Sequence, residues 1–111
     1  MIIIGELING TRKAIKTAIE SRDAEYIADL ARRQVQAGAE YIDCNPGTVG
    51  EQEIEDLKWL VERVQEAVEA PISLDTPNRD ALKAALEVYR QEERPLINSI
   101  TLESERLAEF L

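Results

Sequence analysis

The chain contains no histidine and a single cysteine, Cys44. Without histidine there is no side chain that ordinarily titrates near neutral pH and none to activate a nucleophilic thiol, and zinc is left without its usual nitrogen and sulfur donors. One cysteine excludes an intrachain disulfide, which suits a reducing compartment, so the cytoplasm is the expected location. No run approaches the about 20 apolar residues of a membrane span, and no membrane partner is expected. The opening Met-Ile-Ile-Ile lacks a basic leader and a small-residue cleavage pattern and reads as a first strand. Glycine-rich phosphate loops are missing: neither Gly-x-x-x-x-Gly-Lys nor Gly-x-Gly-x-x-Gly occurs. Positive charge is scarce, with 13 Lys and Arg against 22 Asp and Glu and a net charge of −9. The basic residues, among them Arg32, Arg33, Lys58 and Arg63, are scattered among acids on helical segments, so a nucleic acid would be repelled and is not an expected partner.

What the chain does contain is a repeated unit. Four short apolar runs each end in a carboxylate or amide: Ile-Ile-Ile-Gly-Glu-Leu-Ile-Asn, Tyr-Ile-Asp-Cys-Asn, Ile-Ser-Leu-Asp-Thr and Pro-Leu-Ile-Asn-Ser. Between them the apolar residues recur at helical spacing. Strand one is expected over Ile2–Ile4, ending near Asn9-Gly10. Thr11 is expected to cap a helix over Arg12–Glu20, and Ser21 or Asp23 the next, with Ile27, Leu30, Ala31, Gln34 and Val35 on one face and Gly38 as its stop. Tyr41–Cys44 forms strand two. A helix over Glu51–Ala70 carries Ile54, Leu57, Leu60, Val61, Val64 and Val68, with acids in its first turn where the helix dipole favours them. Pro71 separates it from strand three, Ile72–Asp75. Asn78 caps a helix striped by Ala81, Leu82, Ala85, Val88 and Tyr89, strand four runs over Pro95–Ser99, and Thr101 opens a further helix.

Four successive strand–helix units with parallel strands are either a small open α/β sheet or the N-terminal half of a closed eight-stranded barrel. A complete barrel takes about 250 residues, and this chain has 111. An open four-stranded sheet would leave both outer strands as bare edges, and Ile2-Ile3-Ile4 has none of the charge, bulge or proline that usually protects one. The half barrel is therefore the expected architecture, residues 1–111 forming the N-terminal part of one domain whose remainder is not in this chain. Its edges should be covered by further sequence or by a second copy, so self-association is expected.

Both α/β architectures place ligands at the carboxyl ends of the strands, which makes Glu6, Asn9, Asp43, Asn45, Asp75 and Asn98 the candidate site residues. Asp43 and Asn45 lie two apart and share a face of the sheet, while Cys44 points to the other, where a free thiol packs as a small hydrophobe. A carboxylate in an apolar interior needs donors, so Asp75 should be bonded. Spacing alone also fits a role for Asp75 and Thr76 in arranging the turn before Pro77, and Asn98 could serve the strand-four turn in the same way. Glu6, Asp43 and Asp75 offer oxygen to a hard cation such as magnesium but equally to the N–H groups of a heterocycle, and no metal is expected.

Four strings in order then become informative together: Gly5-Glu6-Leu7-Ile8-Asn9-Gly10, Asp43-Cys44-Asn45-Pro46-Gly47, Leu74-Asp75-Thr76 and Ile97-Asn98-Ser99-Ile100-Thr101. They resemble the pterin-binding methyltransferases, in particular the methyltetrahydrofolate:corrinoid/iron–sulfur protein methyltransferases and the folate module of cobalamin-dependent methionine synthase. The resemblance runs to Leu111 and covers the N-terminal part of the family's (β/α)8 TIM barrel, of dihydropteroate synthase-like type. It implies an enzyme that binds methyltetrahydrofolate at the barrel mouth and passes the N5 methyl to cob(I)alamin on a corrinoid protein partner. Asp75 and Asn98 match the family's pterin ligands, Glu6, Asn9, Asp43 and Asn45 match supporting positions, and the catalytic residues that activate N5 are expected beyond Leu111. On that reading the 111 residues alone would be inactive. One departure is Leu7, where the family has arginine. Dihydropteroate synthase, on the same barrel, also has an aspartate after strand three and an asparagine after strand four. Its Asn-x-Thr-Pro-Asp-Ser-Phe is absent, however, because Asn9 is followed by Gly10-Thr11-Arg12-Lys13. A non-catalytic half-barrel binding or assembly module is the third reading.

Overall fold

In the computed structural model, which describes residues 1–98, the apolar runs become four parallel strands ordered β1-β2-β3-β4. The elements are β1 (Ile4–Gly5), α1 (Lys13–Glu20), α2 (Ala24–Gln36), β2 (Tyr41–Cys44), α3 (Gly50–Ala67), β3 (Ile72–Leu74), α4 (Arg79–Val88) and β4 (Leu96–Ile97). Each strand pairs with its successor across intervening helix, the arrangement of one half of a (β/α)8 barrel. The helix expected from Thr101 and the end of strand four at Ser99 lie outside the described residues.

Alternation along β2 and β3 sorts the residues between two faces. Ile42, Cys44, Ile72 and Leu74 are fully buried beside Ile27 and Ala31 of α2, Leu57, Leu60 and Val64 of α3, and Ala81 and Ala85 of α4. Each large side chain so buried contributes roughly 1.5–3 kcal/mol of transfer free energy. Cys44 belongs to this core, where burial, with the nearby Asp43 charge, holds its thiol well above the usual range. Side-chain amides, one buried and one half-buried, tie the layers together. Gln65 of α3 donates to Val88 O at 2.7 Å and accepts from Arg90 N at 3.0 Å, and Gln91 donates to Val68 O at 2.6 Å and Ala70 O at 2.9 Å. α3 ends at Ala67, short of the expected Ala70, because Val68 turns extended and its carbonyl goes to Gln91. Asp56 of α3 is buried with a full set of donors: Arg22 at 2.8 Å, Gln52 at 2.9 Å and Thr48 at 3.0 Å.

Of the three helix starts expected from capping residues, one differs from expectation in an instructive way. Asp23 caps α2 by accepting from Tyr26 N, and Asn78 caps α4 through Asp80 N and Ala81 N, as the pattern of short polar residues predicts. Thr11, in contrast, does not cap α1; the residue in that place is Arg12, with no side-chain bond. The Thr11 hydroxyl is committed to Asn9 Oδ1 at 2.7 Å, and Thr11 N donates to the same oxygen at 2.9 Å.

Strand one is the largest departure. Regular pairing covers Ile4 and Gly5 only, and Ile2 and Ile3 are 58% and 50% exposed. Between Gly5↔Ile42 and Asn9↔Asn45 the register slips because β1 carries one residue more than β2, and the chain turns there with Asn9 N donating to Leu7 O at 3.0 Å. Gln34 of α2 holds this bulge by accepting from Leu7 N at 3.0 Å, and a Cβ at Gly5 would lie 2.5 Å from that same Gln34 oxygen. Beyond it Asn45 brackets the strand end, donating from its N to Ile8 O at 3.1 Å and accepting from Gly10 N at 2.7 Å.

Gly10 and Gly47 then cross with no space for side chains. A Cβ on Gly10 would sit 1.8 Å from Pro46 O, and one on Gly47, whose φ is +73°, would sit 2.6 Å from Gly10 C. Gly10→Ala is expected to cost about 1–3 kcal/mol or more, as backbone must move to admit a methyl. A urea titration reads this as a lower midpoint at unchanged slope, and a wild-type midpoint would contradict the close crossing.

Candidate functional site

The parallel register stacks the candidate residues in two layers. Asp43 of β2 is the cross-strand partner of Ser73 of β3, and Ser73 that of Leu96 of β4. Advancing two residues, which returns to the same face, sets Asn45, Asp75 and Asn98 side by side just past the strand ends. Asn98 is held at that level by its backbone, with N donating to Leu74 O at 3.0 Å.

Hydrogen bonds link the two layers. Ser73 Oγ donates to Asp43 Oδ1 at 2.7 Å, Asn98 Nδ2 reaches down to the same oxygen at 3.3 Å, and Asn45 Nδ2 donates to Asp75 Oδ2 at 3.4 Å. The Asp43 carboxylate, on the same face of the neighbouring strand, is near enough to Asp75 to act on its charge. Asp43 is 2% exposed, whereas Asp75 is half-buried at the mouth. The Asp75 carboxyl is pushed up to about 7: burial penalises its charge, the Asp43 carboxylate repels it and favours its protonated form, the Asn45 bond acts in the opposite direction, and Glu6 adds a lesser repulsion. A carboxyl so poised near neutrality can surrender its proton to become an acceptor for a ligand that brings N–H donors.

Glu6 and Asn9 stand differently. Glu6 is exposed in the bulge after β1 and acts on Asp75 through its charge. Asn9 is half-buried, its Oδ1 used by Thr11, so it shapes the loop. The Asn45 Oδ1 likewise accepts from Gly47 N at 2.9 Å, which leaves its amide nitrogen for Asp75. Arg12 Nη1 donates to Leu7 O at 2.6 Å, bringing a guanidinium to the loop in which Leu7 replaces the arginine of the resembled family. The turn before Pro77 is arranged by Thr76, whose Oγ1 accepts from Asn78 N at 3.0 Å and donates to buried Glu53, so Asp75 is not spent on it. Among the described residues no group of three or more His, Cys, Asp or Glu is placed to hold a metal ion.

Ser73 is the site-facing residue that sequence reading passed over. Its signal was available: it lies two residues before Asp75 in a strand and must share its face. Glu53 had no such signal, as its burial depends on the docking of α3 against the β3 turn.

Comparison with known proteins agrees with this arrangement. Residues 5–111 match the family described as pterin binding enzyme. A methylcorrinoid:tetrahydrofolate methyltransferase of Eubacterium limosum is 44% identical over 107 residues, which is 96% of this chain and 39% of that protein. Methionine synthases of Mycobacterium tuberculosis and Mycobacterium leprae are each 31% identical over 104 residues, 93% of this chain and 9% and 8% of those proteins. The chain thus spans well under half the length of these curated relatives. With the family matched along nearly the whole sequence and the half-barrel strand order in place, the chain belongs to the pterin-binding enzymes.

Proposed function

We propose that these 111 residues are the N-terminal part of one pterin-binding barrel domain of a methyltransferase that moves a methyl group between N5 of a tetrahydrofolate and the cobalt of a corrinoid carried by a partner protein. The observation that carries the reading is the convergence of Asp75 and Asn98 at adjacent strand ends, backed by Asp43 and Asn45. A pterin edge presents an amino group and a ring N–H that one carboxylate can accept together, and a neighbouring amide both donates and accepts, so the donor set fits. A recognition site built on such bonds discriminates strongly against analogues that lack them. Expectation from sequence wrote the transfer toward cobalt, whereas the name of the Eubacterium limosum relative places the methyl on the corrinoid first. The site's contacts are to the pterin ring, so they serve either direction.

In this reading Asp75 and Asn98 orient the ring, Asp43 and Asn45 hold Asp75 in place, and Glu6 sets the charge at the mouth. The corrinoid, when its carrier docks, supplies the cobalt that gives or takes the methyl. Groups that act on N5 belong to the part of the barrel beyond this chain, and the 111 residues alone are inactive. The unprotected outer strands support completion by neighbours: Ile2, Ile3 and Leu7 are exposed on the β1 side and Ile97 is 41% exposed on β4. A single buried thiol suits the cytoplasm.

Asp75→Ala or Asn98→Ala, made in the protein that contains these residues, is expected to weaken tetrahydrofolate binding by about 1–3 kcal/mol by leaving a ligand N–H unpaired. Wild-type affinity in calorimetry for both variants would remove them from the site. Affinity should also depend on pH. Since Asp75 holds its proton up to about 7 and must lose it to accept two N–H bonds, binding should tighten as pH rises through 7 and level off above. Below that, affinity should fall by up to about tenfold per pH unit, with a proton released on binding; Asp75→Asn should abolish the slope. The free 111-residue chain, finally, is expected to self-associate at micromolar concentration in sedimentation experiments, and a monodisperse monomer there would contradict exposed pairing edges.

A further inference from the structure

Asp43 and Asp75 lie on one face of the adjacent strands β2 and β3, and where two neighbouring carboxyls interact, burial and donated hydrogen bonds together decide which of them holds a proton. Asp43 Oδ1 receives two donated bonds, from the fully buried Ser73 hydroxyl at 2.7 Å and from Asn98 Nδ2 at 3.3 Å. Among the described residues Asp75 receives one, the longer bond of 3.4 Å from Asn45. Donated hydrogen bonds stabilise the ionised carboxylate, and the stronger pair of donors acts on the more deeply buried group. The charges that act on Asp75 are Asp43 from β2 and Glu6 from the bulge after β1. Among the described residues, Asn45 and Asn98 beside it are neutral amides, Cys44 faces the opposite side as a neutral thiol, and the Glu53 carboxyl of α3 is directed to Thr76.

We propose that Ser73 is a positioning residue: with Asn98 it fixes Asp43 as the ionised, accepting member of the pair, and so keeps the shared proton on Asp75, the carboxyl that faces the mouth. Without the Ser73 hydroxyl the two carboxyls would divide the proton more evenly, and the one exposed to ligand would no longer be the one that releases it. The position of the proton stands on the geometry of the free protein. Its consequence, that a pterin displaces this proton as it binds, rests on the function proposed above.

The test follows the side-chain carboxyl carbons of the carbon-13-labelled 111-residue chain by NMR through the neutral pH range without ligand, using Asp75→Asn to assign the resonances. In the wild type the step near pH 7 should be carried mainly by Asp75. Ser73→Ala should shift the proton partition toward Asp43 by about tenfold, the effect of one charge-assisted hydrogen bond. Ser73→Cys, close in volume and a weak donor, should behave as the alanine variant does, while Ser73→Thr, which keeps a hydroxyl, should restore the wild-type pattern. If the alanine variant fails to fold, the cysteine–threonine contrast decides. Identical titrations in the cysteine and threonine variants would overturn the proposal, as would a wild-type proton residing on Asp43. Carboxyls that titrate as stated in a protein that does not bind tetrahydrofolate would uphold the role of Ser73 and count against the pterin reading alone.

Discussion

The register between β2 and β3 is the constraint on which the site depends. Because Asp43 pairs with Ser73, the residues two further along, Asn45 and Asp75, fall beside each other at the strand ends, and β4 in its turn brings Asn98 level with them. A slip of one residue would send all of these polar groups into the helical layer and turn Cys44 and Leu74 toward the mouth. The cost of burying Asp43 without donors, set against the gain from burying Ile42, Cys44, Ile72 and Leu74, makes any such slip strongly unfavourable. Core packing and site geometry are thus fixed by the same pairing.

The loops above the strands are held just as tightly, by absence of side chains. Gly10 and the Pro46-Gly47 turn cross at a distance that no Cβ permits, and Asn9 and Asn45 spend their side-chain oxygens on the local backbone that makes the crossing. Gly5 serves a related purpose one layer down, leaving room for Gln34 to bind the bulge that ends regular pairing in β1. These features place Glu6 and the Asn45 amide at the strand ends.

Electrostatically the mouth is an arrangement of graded acids. Asp43 is deep and doubly bonded, Asp75 is shallower and reluctant to ionise, and Glu6 lies in solvent. A flat heterocycle with paired N–H groups would relieve the repulsion at Asp75 by replacing a proton with donated hydrogen bonds. Under the proposed function such a site would give up a proton on binding, and its affinity would depend on pH in a way that a purely neutral amide site would not.

Much of this could be read from the amino-acid order. Alternation in Tyr-Ile-Asp-Cys-Asn put Asp43 and Asn45 on one face and Cys44 on the other, proline and asparagine marked the borders around β3 and α4, and four strand-end motifs in sequence carried the family resemblance. These are local properties, set by the two-residue period of a strand and by capping chemistry. What the order could not show was anything that depends on register between distant segments: the bulge that shortens β1, the diversion of Thr11 from capping to Asn9, the burial of Glu53 against Thr76, and the meeting of Ser73 with Asp43. Hydrophobic periodicity assigns each residue a face but leaves open which neighbour it meets there. Only the packed sheet, by pairing Asp43 with Ser73 across β2 and β3, decided which hydroxyl and which carboxyl meet.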